Sequence, residues 1–235
     1  MDFNNIFGLL LPSILICTFF FLKYQIIKYK YNKSAYKKET KIKFKKIFKD
    51  KGMFGEYLSF EKLASLPGYK KIVANSYIPK RNGQTTEIDL ILIHETGIYV
   101  IESKNFSGWI FGNSKNRYWT QTLGKGRKNK FYSPIFQNQN HIKHLREYLK
   151  DYNGVYYSII AFSERCELKK IDNSSNSKVI KRNEMENTLE SMIKKNDNCL
   201  SKEEIDKIYE YLKKSTDISE QKKQEHIENI KEWSV

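Results

Sequence analysis

The pattern of apolar and polar positions divides the chain into three parts. Residues 6–22 (IFGLLLPSILICTFFFL) form an uncharged run, and residues 23–51 are lysine-rich. From residue 52 onward the periodicity predicts a folded α/β unit. Residues 54–66 (FGEYLSFEKLASL) read as a helix ended by Pro67-Gly68. Residues 69–78 suggest a strand, Arg81-Asn82-Gly83-Gln84 a turn, and residues 87–93 (EIDLILI) a second strand. His94-Glu95-Thr96-Gly97 is a further turn, and residues 98–104 (IYVIESK) form the next strand. A long polar stretch occupies 105–132. Ser133 then caps a helix with Pro134 at its first position, and Ile135, Ile142, Leu145 and Leu149 form its apolar stripe. An apolar strand over 155–162, a short strand over 178–181 and helices near 184–194 and 203–213 follow. Ser201 and Glu204 make a capping box for the last of these. The tail after Lys214 is polar, and no internal repeat is visible.

The uncharged run predicts a membrane anchor. At about 1.5 Å per residue it spans roughly 25 Å, slightly less than a hydrocarbon core of ~30 Å. Phe3, Tyr24, Ile26 and Ile27 can extend it, and Pro12 is tolerated in a membrane span. A cleaved signal peptide needs a basic start and a small-residue cleavage site. Here the start holds Asp2, and the run ends Phe19-Phe20-Phe21-Leu22, so an uncleaved anchor is the better reading.

Charge supports that reading. Of the net +15, residues 23–51 supply +10 from twelve lysines against Glu39 and Asp50, and residues 52–235 carry only +6. The high pI therefore reports mostly a basic segment beside an apolar one. By the positive-inside rule, a single-pass protein of the cell membrane with a cytoplasmic C-terminal domain is expected. Each lysine near an anionic leaflet adds about 1 kcal/mol of attraction. The segment 23–51 is expected to be a solvated, flexible linker rather than a DNA-binding arm. Cys17, Cys166 and Cys199 form no CxxC pair, so neither a disulfide framework nor a zinc site is read.

Candidate chemistry sits at the end of the third strand. Strand side chains alternate faces, so Ile98, Val100, Glu102 and Lys104 share one face, and Asp89 on the preceding strand can reach the same place. Two carboxylates can hold a divalent cation, which would polarise a phosphate and acidify a water. Lys104 would orient that water or stabilise transition-state charge. A Glu–Lys pair at this spacing is also an ordinary salt bridge, worth under about 1 kcal/mol if exposed. Lys115, Arg117, Lys125, Arg127, Lys128 and Lys130 lie in a stretch with no acid, interleaved with Tyr118, Trp119, Phe131 and Tyr132. They could grip phosphates and stack bases, or form a solvated loop with Trp119 in the core. His141 and His144, three apart on a helix, lack a third ligand and read as a solvated face. His94-Glu95 lacks the rest of an HExxH motif, and there is no Walker loop or dinucleotide fingerprint.

The stretch GEYLSFEKL … EIDLILIHETGIYVIESKNFSGWI … W … SPIFQNQNHIKHLREYL resembles the nuclease-related domain (NERD) family, over about residues 55–149. The strand SIIAFSE and the helix SKEEIDKIYEYL resemble its usual continuation. That resemblance implies the restriction-endonuclease-like PD-(D/E)xK fold, a mixed sheet flanked by helices. It also implies site residues: Glu56 in the first helix, Asp89, the pair Glu102 and Lys104, and Gln137 in the later helix. Asn105 and Trp109 match the sequence that follows ExK, and Ser133 replaces the commoner Asn before Pro134. Glu56 precedes Phe60 and Leu63 on one apolar stripe, and an inward acid needs a partner such as a metal or Lys104. Gln137 is one step off its helix's stripe.

The expected layout is an anchor over 1–22, a linker over 23–51, a core over 52–150 with a continuation over 151–214, and a tail over 215–235. The expected function is that of a membrane-anchored nuclease using Mg²⁺ or Mn²⁺ on nucleic acid, DNA in the first instance. Asp89 and Glu102 hold the metal and Glu56 assists. The alternative is a catalytically silent, tethered module that binds nucleic acid or a protein.

Overall fold

The computed structural model describes residues 3–150, 152, 154–171 and 176–217 and scattered positions of the tail, with side chains from Pro12 onward. The expected polar tail falls largely outside the described residues. Helix α1 (Phe3–Lys33) runs unbroken from the uncharged run into the lysine-rich segment. Short helices α2 (Ala35–Thr40) and α3 (Phe44–Lys49) follow, then α4 (Lys51–Ala64). Asp50 caps α4, its Oδ1 accepting from the N–H groups of Gly52 and Met53, a contribution of about 1 kcal/mol.

Among the described residues, no helix is long and apolar enough to cross a membrane. The start of the expected span, residues 6–11, lies outside the described side chains. Downstream, Ile14, Leu15, Ile16, Phe19, Phe20, Phe21 and Leu22 are all more than half exposed. The lysine-rich segment corrects its sequence reading. Tyr31, Tyr36, Phe44 and Ile47 are buried and join the core shared with α4. The Tyr31 ring meets Tyr57 edge-on, and the Tyr36 ring meets Tyr57 and Phe60 edge-on. The burial of the Tyr31, Tyr36 and Phe44 rings and of Ile47 outweighs the solvation of their lysine neighbours, so the segment is part of the domain rather than a solvated tether.

The main sheet has the order β1-β2-β3-β7-β9. Strands β1 (Lys70–Pro79), β2 (Thr85–His94) and β3 (Gly97–Lys104) pair antiparallel. Strands β7 (Tyr156–Phe162) and β9 (Ser177–Lys181) add on in parallel. Helices α4 and α6 (Met185–Lys195) cover one face, packing on Ile72, Leu90, Leu92, Ile101 and Ile159. Helices α5 (Pro134–Tyr148) and α7 (Lys202–Lys213) cover the other, on Val73, Ile91, Ile93, Ile98 and Val100. Ser133 sits at the N-cap of α5 as expected, but its hydroxyl makes no capping bond. The Ser201–Glu204 capping box forms at α7.

Strands β1 and β2 turn over partway along. Ala74 pairs with Leu90 and Ser76 with Ile88, but the pair between them drops out, and Asn75 has φ of 54°. Ile88 then packs with the α5 cluster although Leu90, two residues on, packs with the α4 cluster. Asn accepts this left-handed conformation more readily than most residues. The residue opposite the inversion is Asp89.

The polar stretch 105–132 is not a solvated loop. It builds β4 (Gly108–Gly112), β5 (Tyr118–Thr122) and β6 (Lys128–Tyr132). With β8 (Cys166–Ile171), which the sequence reading missed, they form a second sheet of order β6-β5-β4-β8. Trp119 is buried and, with Ile110 and Phe131, packs this sheet on Phe162 and Ile160 of the first.

Candidate functional site

The β2–β3 ladder ends at the pair Leu90 with Ile101. Beyond it, Asp89 Oδ2 accepts the Ser103 N–H at 2.8 Å, a side chain taking a place the backbone ladder has left. Glu102 and Lys104 follow on the face that carries Ile98 and Val100. Lys104 Nζ lies 2.6 Å from Glu102 Oε1 and donates to Gln137 Oε1 at 3.0 Å. Gln137, from the first turn of α5, is therefore turned into the site. Asn138 fixes that helix: its Nδ2 donates to the Val100 carbonyl at 2.8 Å and to Ser158 Oγ at 2.9 Å.

His141 corrects the reading of a solvated face. It is buried, with Nε2 3.2 Å from Glu102 Oε2 and Nδ1 2.8 Å from Thr86 Oγ1. A neutral ring donating from Nε2 to the carboxylate accepts from Thr86 at Nδ1. His144 is half-buried, 3.6 Å from Glu147. The one signal for His141 in the sequence is its place four residues after Gln137, which puts both on one helix face. Thr86 had no signal, because it faces α5 only through the inversion of β2.

Electrostatics separates the three acids. Burial raises Glu102, but Lys104 and His141 overcome it and hold its pKa down at about 2. Burial and the Glu102 and Glu56 charges push Asp89 well above the usual carboxylate range. Glu56 rises to about 8 through burial and the charges of Glu87, Asp50 and Glu102. Its Oε2 is shielded from solvent with no hydrogen-bond partner. Burial opposes charge on Lys104, but Glu102 and Asp89 raise its pKa. The site is thus a cluster of three carboxylates with one cation among them.

That cluster fits the divalent ion implied by the sequence. A cation held there would relieve the repulsion that raises Asp89 and Glu56. Mg²⁺ keeps several waters and needs only one or two carboxylates. Among the described residues no group of three His, Cys, Asp or Glu side chains converges as a full ligand set. Asp89 and Glu102 are the residues that would hold the ion. Lys104 already occupies one Glu102 oxygen and would have to share it.

The six basic residues lie on the second sheet and its connections. Lys115 and Arg117 precede β5, Lys125 and Arg127 lie in the β5–β6 connection, and Lys128 and Lys130 are on β6. All are exposed.

The nuclease-related domain profile matches residues 51–163. An uncharacterized protein of Bacillus anthracis is 33% identical over 188 residues, covering 79% of this chain and 86% of that protein. No solved structure matches. Glu56, Asp89, Glu102, Lys104, Gln137 and His141 all fall inside the matched region, as do the six basic residues. The chain therefore belongs to the NERD family, nuclease-related domains of the restriction-endonuclease-like superfamily.

Proposed function

We propose that the chain is a divalent-metal-dependent nuclease acting on DNA phosphodiesters. The observation that carries this reading is the meeting of Asp89, Glu102, Lys104 and Gln137, from three separate elements, around one cation 2.6 Å from Glu102 and 3.0 Å from Gln137. Lys104 keeps its proton beside two carboxylates and presents it where charge builds on a phosphate. Gln137 fixes the direction of that ammonium group. His141 holds the second Glu102 oxygen, so the carboxylate cannot rotate away. Glu56, with a pKa of about 8, keeps its proton near neutral pH and can serve there as a proton donor. The ion would supply Lewis acidity to the phosphate and to a bound water. The exposed cations Lys115, Arg117, Lys125, Arg127, Lys128 and Lys130 would hold the polyanion by counterion release.

Membrane attachment is part of the proposal. It rests on the uncharged run 6–22 and on the bare apolar side chains from Ile14 to Leu22, which water solvates poorly. The lysines after it favour a cytoplasmic domain. The alternative, a catalytically silent binding module, draws on one observation: both oxygens of Glu102 are already satisfied by Lys104 and His141.

Plasmid cleavage and calorimetric Mg²⁺ titration on the full chain in detergent separate the two. Asp89→Asn and Glu102→Gln should each lower cleavage at least 100-fold and weaken Mg²⁺ binding while the fold survives. Lys104→Ala should bind Mg²⁺ as well or better yet fail to cleave. A wild-type chain that binds nucleic acid but neither Mg²⁺ nor Mn²⁺ is the silent module.

A further inference from the structure

The second sheet sorts its aromatic residues by face. Alternation along β5 and β6, with Tyr118 opposite Tyr132 and Thr120 opposite Lys130, puts Tyr118, Tyr132, Lys128 and Lys130 on one side. Trp119 and Phe131 point the other way, into the core. On β4, Ile110 is buried, so Trp109 lies on the outer side with Thr122 and Glu167 as its neighbours in register. Trp109 is 51% exposed, Tyr118 54% and Tyr132 36%. Large aromatic rings left in water on one face of a sheet need an explanation, since burying each would be favourable.

Cations accompany the rings. The Arg117 guanidinium lies 5.9 Å from the Tyr132 ring centre, and Lys169 Nζ 5.7 Å from that of Trp109. Lys130 stands in the row between the Tyr118–Tyr132 pair and Trp109, and Lys128 shares the row of Thr122 and Trp109, which lies four residues along the strands from that pair, roughly 13 Å. Among the described residues of these strands, the one carboxylate on this face is Glu167, at the far edge and paired with Lys169. The face also adjoins the catalytic cluster through the chain: β4 begins four residues after Lys104, and β6 ends five residues before Gln137, its hydrogen-bond partner.

We propose that this face binds single-stranded nucleic acid, its bases stacking on Trp109, Tyr118 and Tyr132 and its phosphates on Arg117, Lys128 and Lys130. The inference rests on the nuclease reading and specifies the strand state of its substrate. A duplex hides the faces of its bases and offers such a surface only phosphates. Unpaired bases bring free π-faces that match projecting rings. The chemistry is shared by DNA and RNA.

The test is fluorescence titration of the full chain in detergent and EDTA, so that binding is read without cleavage. The probes are 20-nucleotide oligo-dT, oligo-U of the same length, and a 20-base-pair DNA duplex. Oligo-dT should bind at least tenfold more tightly than the duplex and quench tryptophan emission. Trp109→Ala and Tyr118→Ala should each weaken oligo-dT binding fivefold or more and leave the duplex within twofold. Trp109→Phe should restore most of the loss. Oligo-U binding like oligo-dT assigns the surface to both acids; weaker oligo-U binding assigns it to DNA. Equal affinity for strand and duplex, unchanged in both alanine variants, overturns the stacking face and leaves the nuclease reading intact. Failure to bind any of the three probes overturns both.

Discussion

At the scale of single residues, the site is organised around unequal acids. Glu102 is held ionised at about pH 2 and above, while Glu56 keeps its proton up to about pH 8. The two have opposite effects on stability. For Glu56 the folded pKa lies above the unfolded value of 4.5, so the folded state binds the extra proton between pH 4.5 and 8. Its contribution is therefore most favourable below about pH 4.5 and is lost as pH rises through 8. Glu102 does the reverse, stabilising above its unfolded pKa of 4.5 and losing that contribution as pH falls towards 2. Glu56→Gln mimics the protonated acid. It should raise Tm at pH 8 by several degrees and by much less at pH 5, as thermal melts at the two pH values in EDTA will show. With saturating Mg²⁺ the gain at pH 8 should shrink, because the ion stabilises the wild-type carboxylate. Equal gains at both pH values would mean that Glu56 is ionised in the folded state throughout.

At the scale of elements, the β5–β6 hairpin is where sequence and structure diverge most. Its outward residues are Lys128, Lys130, Tyr118 and Tyr132, so the usual alternation of apolar and polar positions is blurred by outward aromatics. A strand whose exposed face carries rings reads as a polar loop with scattered aromatics. The Glu102–Lys104 face was legible because a two-residue period is a local property of β3. Asp89 was placed by the short turn that joins its strand to β3. His141 was not legible, because its burial depends on Asn138 docking α5 across Val100 and Ser158, a contact 38 residues away in sequence. The buried Tyr31, Tyr36, Phe44 and Ile47 were hidden by the lysines around them and by their spread over the end of α1 and two short helices. Replacing Arg127, Lys128 and Lys130 with alanine tests the phosphate contribution of the hairpin. Removing three cations should reduce the slope of log affinity against log salt by about 2–3, measured by titration with oligo-dT at several NaCl concentrations. An unchanged slope would assign these residues to solvent alone.

At the scale of the whole molecule, α1 is joined firmly to the domain. Tyr31 in its last turns is buried, its hydroxyl donating to the Ile42 carbonyl at 2.8 Å, and its ring packs against Tyr36, Phe44 and Tyr57. A fragment starting at residue 23 keeps these contacts and should melt near the full chain. One starting at residue 38 loses both Tyr31 and Tyr36, a loss on the order of 3 kcal/mol or more, or roughly 6–12 °C in Tm. Differential scanning calorimetry on the two fragments reads the difference directly; equal melting temperatures would show that the N-terminal rings add nothing. On the proposed attachment and activity, the same joint would also set the working height of the domain. A catalyst on a slack leash sweeps a hemisphere, and its reach grows with the square root of leash length. Here Leu22 and Tyr31 are nine residues apart on one helix, a stalk of roughly 14 Å. On the proposed attachment, the Glu102–Lys104 pair stays at a fixed altitude and a fixed tilt above the lipid, so cutting is confined to strands that are themselves delivered to the bilayer.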